Sequence, residues 1–395
     1  MAAILHTDQR LVSGLPEFVI LYATLYGAFG ALSPFLPAFL QSRQLRPEQI
    51  GFILGVGTAV RLIAGPAAGR VADRTRYHRT IFAICTAGAA VFALSDFVLQ
   101  NFWALFAATL CWSATIAPAA PLADALALAA AKPTHENEKF EYGWVRGAGS
   151  AAFILGTVGS GQLVKPFGLG VTLVLQAALL VIAATWTGRV PNYLVASRAS
   201  PNSAEGGSIS GVLKLPAIRQ TILVAALVLG SHALHDSFAV IHWQAAGIGP
   251  TLVSTLWSEQ VIAEVVVFLF VGPALLNRLG SAWALTFSAT IGAIRWGLMA
   301  MSTDAHVLAA VEPLHGATFA LLHLAAMRVI GAVVPLRLAA TAQTVYGTLG
   351  AGAAVAILTF ASGVLYERLG GGAFWVMAAL CVSAVPIAMR VRVQD

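Results

Sequence analysis

The chain reads as an all-α membrane protein with twelve transmembrane helices, six before and six after a polar linker. Three observations specify this. Apolar residues make up 58% of the 395 positions and charged residues 10%, against about a quarter charged in soluble globular chains. Twelve apolar runs follow one another, each near the ~20 residues that cross a bilayer. Lys and Arg crowd into alternate loops. The 37 Gly and 17 Pro fit the same class, because small residues let transmembrane helices approach closely.

The first run, 16–41, follows a short polar start ending in Arg10. It is too long for a signal-peptide core and has no small-x-small cleavage pattern, so it stays as helix 1. Tyr22 and Tyr26 are i and i+4 on it, with Ser33 seven residues on, one face that can line a cavity or simply pack. Helix 2, 48–72, carries Arg61 in mid-span between Gly55-Val56-Gly57 and Gly65-Pro66; at that depth it needs an acid, a carbonyl cluster or an anionic ligand. Helices 3 and 4 are expected at 79–99 and 102–131, with Asp124 after Pro118 and Pro121. Helix 5, 143–164, has Arg146 near its start. Asp124 and Arg146 share one side of consecutive helices, so a salt bridge between them is expected, with snorkelling of Arg146 as the competing reading. Helix 6 is expected at 168–187.

The stretch 188–218 is the longest polar one and cannot bury a core. It divides the chain into 1–187, a linker, and 219–395. Helix 7, 219–244, holds His232 and Asp236 at i and i+4, one face; His235 lies about 100° round and reads as packing. Helix 8, 251–276, has Glu264 near its middle and Glu259 nearer one end. Arg295 and His315 fall in the middle portions of helices 9 (281–301) and 10 (305–330). Helices 11 and 12 complete the set at 336–363 and 372–391. Ionisable groups inside spans are functional candidates by default, the bland alternative being a buried network that fixes packing.

Of the 23 Lys and Arg, fifteen fall on the side holding both termini and the linker. Four fall on the other (Arg43, Arg46, Lys165, Arg368), and Arg61, Arg146, Arg295 and Arg328 lie within spans. This places both termini and the linker in the cytoplasm. No basic stripe suits nucleic acid despite the net charge of +6. Cys85, Cys111 and Cys381 sit singly in apolar runs and read as packing residues rather than metal ligands or disulfides. No H-E-x-x-H, nucleophile elbow or phosphate loop is present, so neither enzyme chemistry nor ATP-driven transport is expected.

The loop after helix 2 reads Gly69-Arg70-Val71-Ala72-Asp73-Arg74-Thr75-Arg76-Tyr77-His78-Arg79. An acid at a helix end followed by four positive charges in six residues can form a breakable latch, with its own arginines or with the positive N-terminal end of another helix. Gly69, Asp73 and Arg74, with Arg79 one residue past its end, resemble the G-x-x-x-D-R-x-G-R-[RK] signature between helices 2 and 3 of the major facilitator superfamily. Arg76 stands where that pattern has Gly, which predicts a turn built differently. Tyr142-Gly143-Trp144-Val145-Arg146-Gly147-Ala148-Gly149-Ser150, Gly230-Ser231-His232-Ala233 with Trp243-Gln244-Ala245, and Leu314-His315-Gly316-Ala317-Thr318-Phe319 with His323-Leu324-Ala325-Ala326-Met327 resemble the phenylpropionate-permease branch, related to proton-linked oligosaccharide and nucleoside symporters.

The resemblance implies two six-helix bundles of the major facilitator fold that rock about a central site. It implies that Asp124 and Arg146 resemble a substrate-binding pair. It also implies that His323 resembles a proton-handling position, though Ala326 stands where such relatives carry an acid. The function expected is proton-coupled symport of a small organic solute such as an aromatic carboxylate. Nucleoside or sugar symport, proton-driven efflux of an amphipathic compound, and a polytopic receptor or scaffold are the alternatives. Substrate contacts are expected from Tyr22, Tyr26, Arg61, Asp124, Arg146, His232 and Asp236, with Arg146 first and Arg61 second as the carboxylate anchor. Proton coupling is assigned to Glu264, with Asp236, Arg295 and His315 around it and His323 as runner-up. The latch is Gly69, Asp73, Arg74 and Arg79. No cofactor or metal is expected beyond the proton itself. The expected partners are a small-molecule substrate and the lipid bilayer, with the chain a monomer in the inner membrane.

Overall fold

A computed structural model of the chain describes residues 14–131, 140–191 and 209–393. Most of the linker, together with Arg10, Lys132, Lys139 and Arg198 from the charge census, lies outside the described residues. Among the described residues, nine helical stretches are long and apolar enough to cross a membrane. Two of them, Pro250–Met301 and Leu336–Ala388, are twice the length of a crossing and fold back at Gly280 and Gly370, both at positive φ. With the 26-residue helix Tyr142–Phe167, twelve crossings result.

In chain order these are α1 (Leu15–Leu32, prolonged by Leu36–Ser42), α2 (Pro47–Thr75), α3 (His78–Val98), α4 (Phe102–Ala130), α5 (Tyr142–Phe167) and α6 (Gly170–Trp186). The second half holds α7 (Pro216–Ala245), α8 (250–279), α9 (281–301), α10 (Ala305–Val333), α11 (336–369) and α12 (Phe374–Ala388). Starts follow local chemistry. Pro occupies the first turn of α1, α2, α7 and α8, where no N–H is needed. Asn101 and Asp304 cap α4 and α10 by accepting from free backbone N–H groups.

The helices are interrupted where they face one another. α4 breaks before Pro118 and α7 at Ser231, while α8, α10 and α11 widen to i→i+5 bonding at Val267–Val271, Gly316–Leu321 and Tyr346–Ala353. Such widenings accompany functional sites.

α1 packs along α5 and α6, and α3 along α4 and α6, forming one bundle; α7 packs on α11 and α12, and α9 on α12 and α10, forming the other. The bundles meet through α2 with α11 and α5 with α8. Large apolar side chains such as Ile84, Leu155, Phe270 and Ile357 are exposed on the outside, as a lipid-facing surface requires.

The face carrying the α2–α3 loop, here the basic face, differs from the opposite face. At the opposite face a Cβ on Gly51 of α2 would lie 2.7 Å from the Cα of Gly363 on α11, so only glycine permits this approach. Gly161 of α5 is pressed in the same way onto Ser254 and Pro250 of α8. Toward the basic face, Gly69, Gly143, Gly147 and Gly347 have nothing within 4 Å of an added Cβ. The packing of α11 on α2 lies mostly in 354–369 and that of α8 on α5 in 250–266, the halves toward the opposite face, so among the described residues the bundles are in contact there and apart at the basic face.

A charged cavity between the bundles

A cavity of about 620 Å³ lies between the bundles, within the range that holds a small organic ligand. The first bundle contributes Phe29, Ser33, Thr58, Arg61, Trp112 and Ser113 to its wall, and the second Asp236, Trp257, Gln260 and His315. Arg61 meets no acid. It has no ion pair or hydrogen bond with any described residue and lies with its guanidinium 4.9 Å from the Trp112 ring centroid. Cation–π attraction positions it without cancelling its charge.

Asp124 and Arg146 do not form the expected salt bridge. Asp124 accepts from the Tyr22 hydroxyl at 2.5 Å and from the Tyr142 hydroxyl at 2.8 Å. Arg146 donates to the Tyr26 hydroxyl and lies 4.6 Å over the Tyr26 ring, while the Tyr22 and Tyr26 rings stack at 5.5 Å. The tyrosines intervene because they are i and i+4 on α1, between α4 and α5. Ser33 reaches the cavity wall, whereas Tyr22 and Tyr26 are turned to Asp124 and Arg146.

In the second bundle Arg295 is fully buried and donates to Glu312 at 2.9 Å, to Gln260 at 3.2 Å and to His315 Nδ1 at 3.2 Å. A guanidinium only donates, so His315 Nδ1 must offer a lone pair. The neutral ring then carries its hydrogen on Nε2, 3.6 Å from Glu264. That gap is beyond a hydrogen bond and within reach of one bridging water. His235 Nδ1 lies 3.1 Å from Asp236 and its Nε2 3.3 Å from Glu312. With both carboxylates ionised, only the doubly protonated ring satisfies both. The result is a chain of contacts, Asp236–His235–Glu312–Arg295–His315–Glu264, which begins and nearly ends at the cavity wall.

Glu264 therefore has His315 beside it, and Asp236 and Arg295 stand behind that ring rather than around the carboxyl as expected. His232 sits behind the wall, bonded to Thr318 at 2.9 Å with its ring edge-on to Trp296 and His315. His323 packs against Phe268 and Tyr346. His235, read as packing, is a hub, and Glu312 was not singled out at all. The available signal was its spacing of three from His315, which puts both on one helix face. No described group of His, Cys, Asp and Glu could hold a metal ion.

At the basic face, Asp73 pairs with His78 at 2.9 Å rather than with an arginine. Arg79 donates to the carbonyls of Thr187 at 3.1 Å and of Gly188, at the end of α6, and Arg74 lies in the last turn of α2. Arg76 has φ 62°, ψ 18° and closes α2, the left-handed conformation that favours glycine. The turn is thus built as the signature's Gly would build it, contrary to the expectation from Arg76.

The MFS_1 like family matches residues 16–377. The probable 3-phenylpropionic acid transporter of Escherichia coli (strain K12) is 33% identical over 375 residues, 92% of this chain and 94% of that one. The maltose permease of Geobacillus stearothermophilus is 26% identical over 370 residues, 92% and 91% of the two chains. Among solved structures, a point variant of the nucleoside transporter NupG superposes with a TM-score of 0.86 at 18% identity, covering 96% of this chain and all of that one. The protein is a multi-pass membrane transporter that belongs to the MFS_1 like family of the major facilitator superfamily.

Proposed function

We propose that the protein is a proton-coupled symporter of a small organic anion, an aromatic carboxylate of the phenylpropionate kind. The observation that carries this is Arg61. Arg295 is neutralised by Glu312 and Arg146 does not line the cavity, which leaves Arg61, among the described residues, as the unpaired arginine of the cavity wall. Charge-assisted pairing in a site of low polarity is strong and geometrically specific. Phe29, Trp112 and Trp257 in the same wall offer faces for an aryl ring. The 33% identity to a transporter named for 3-phenylpropionic acid supports the same choice.

In this reading Glu264 carries the proton. The Glu264 carboxylate takes up the proton from the basic face, while His315 stays neutral with its Nε2 hydrogen toward that carboxylate, so the charge of Glu264 is felt by the Arg295–Glu312 pair behind. The charge census makes the basic face cytoplasmic, so the conformation described is open inward. The halves 1–187 and 219–395 are the rocking bodies, 188–218 is a cytoplasmic linker, and a monomer is the working unit.

Purified protein in proteoliposomes tests this. A pH gradient should drive accumulation of 3-phenylpropanoate above its external concentration. Accumulation of a nucleoside or maltose in its place, or uptake indifferent to the gradient, would move the assignment to the neutral-solute alternative.

A further inference from the structure

The cavity wall holds a second unsatisfied charge. Asp236, on the bundle facing Arg61, keeps 53% of its side-chain surface exposed and lines the cavity. One carboxylate oxygen takes the His235 contact at 3.1 Å, and the other has no partner among the described residues. Arg61 on one bundle and Asp236 on the other therefore present opposite charges to a ligand lying between Trp112 and Trp257. A plain arylalkanoate answers Arg61 alone and lays a hydrocarbon ring against the free oxygen of Asp236. A carboxylate oxygen stripped of water without a donor is costly.

We infer that the cavity selects an aryl carboxylate bearing a hydroxyl at the end remote from its carboxylate, with Arg61 taking the anion and Asp236 accepting from the hydroxyl. A neutral donor suits this carboxylate better than an ammonium, because His235 already lies against it and His315 shares its wall. The inference rests on the reading of the cavity as a carboxylate transport site. It adds that substrates are recognised at both ends, by both bundles, so that a matched ligand draws the two walls together.

Equilibrium binding to the purified chain, read by isothermal calorimetry, separates the two claims. The probes are 3-phenylpropanoate, 3-(4-hydroxyphenyl)propanoate and 3-(4-methoxyphenyl)propanoate. The hydroxylated acid should bind about tenfold more tightly than the unsubstituted one, the equivalent of ~1.4 kcal/mol. The methoxy acid, of similar shape but without a donor, should lose that gain, a comparison that needs no variant. Asp236→Ala should erase the preference, and Arg61→Gln should weaken all three acids together. Equal affinity for the hydroxylated and methoxy acids, or a preference that survives Asp236→Ala, overturns the inference and leaves carboxylate transport standing. Failure of the wild-type chain to bind any of the three acids overturns both.

Discussion

Arg295 and Glu312 meet at 2.9 Å with neither side chain exposed, joining α9 to the start of α10 behind the cavity wall. A buried pair of this kind is weak evidence for stability, since each charge has been taken out of water. Its clear effect is on the site. It removes one in-span arginine from substrate recognition and gives His235 and His315 fixed charges to lean on.

Breaking that pair should cost folding. Glu312→Gln leaves Arg295 buried without a counter-charge, and a loss of about 3–5 kcal/mol is expected. Thermal unfolding in detergent should show a lower midpoint for Glu312→Gln and a smaller loss for the double variant Arg295→Met, Glu312→Leu. A single variant as stable as the wild type would mean that Glu312 is protonated or that water reaches the pair.

Glu264→Gln should abolish proton-driven accumulation while substrate exchange across proteoliposomes persists. The motivation is the position of Glu264 at the end of the contact chain, 3.6 Å from His315. A static network predicts the reverse, a folding defect with coupling intact. Unchanged uphill transport excludes Glu264 as the coupling group.

At Asp73 the expectation is slower transport with expression preserved. Asp73→Asn removes the negative charge that faces His78 and, in the latch hypothesis, destabilises closure of the basic face. Cysteine pairs across the basic ends of α2 and α11 should then cross-link less often. If cross-linking and transport are both unchanged, Asp73 is no latch.

Arg76→Gly should raise the unfolding midpoint, because a left-handed non-glycine residue costs about 1–2 kcal/mol, partly offset by glycine's greater freedom when unfolded. A fall in stability would show that the Arg76 side chain holds something beyond its turn.

Single cysteines at 203 and 303, in a background lacking the native three, test the topology. An impermeant reagent added to intact cells should label 303 and spare 203. Labelling of 203 from outside would invert the orientation, and with it the conformation assigned to the cavity.

Span boundaries were legible because a bilayer imposes length and hydropathy on every crossing; α4, for instance, occupies Phe102–Ala130 where 102–131 was expected. Arg295 and His315 were legible for the same reason, as polar groups with no excuse of depth. Glu312 was not, because it stands beside Pro313 near a helix start and resembles a residue at the interface with water. His235 was misjudged because Glu312, the partner that makes it a hub, comes from another helix, and a helical wheel shows only neighbours on its own. The pairing of Asp124 with two tyrosines escaped for a related reason: opposite charges on consecutive helices suggest each other, yet Tyr22 and Tyr142 supply donors that need no charge.

Gly51 and Gly363 bring two backbones together with no side chain between them. Interlocked side chains would have to change rotamer before the helices could part, adding to the activation barrier, whereas two bare backbones give up only diffuse dispersion contacts. At that contact nothing has to change rotamer before the helices part; the Phe52 and Phe360 rings beside it, edge to face at 5.9 Å across the same two helices, are what must be drawn past one another.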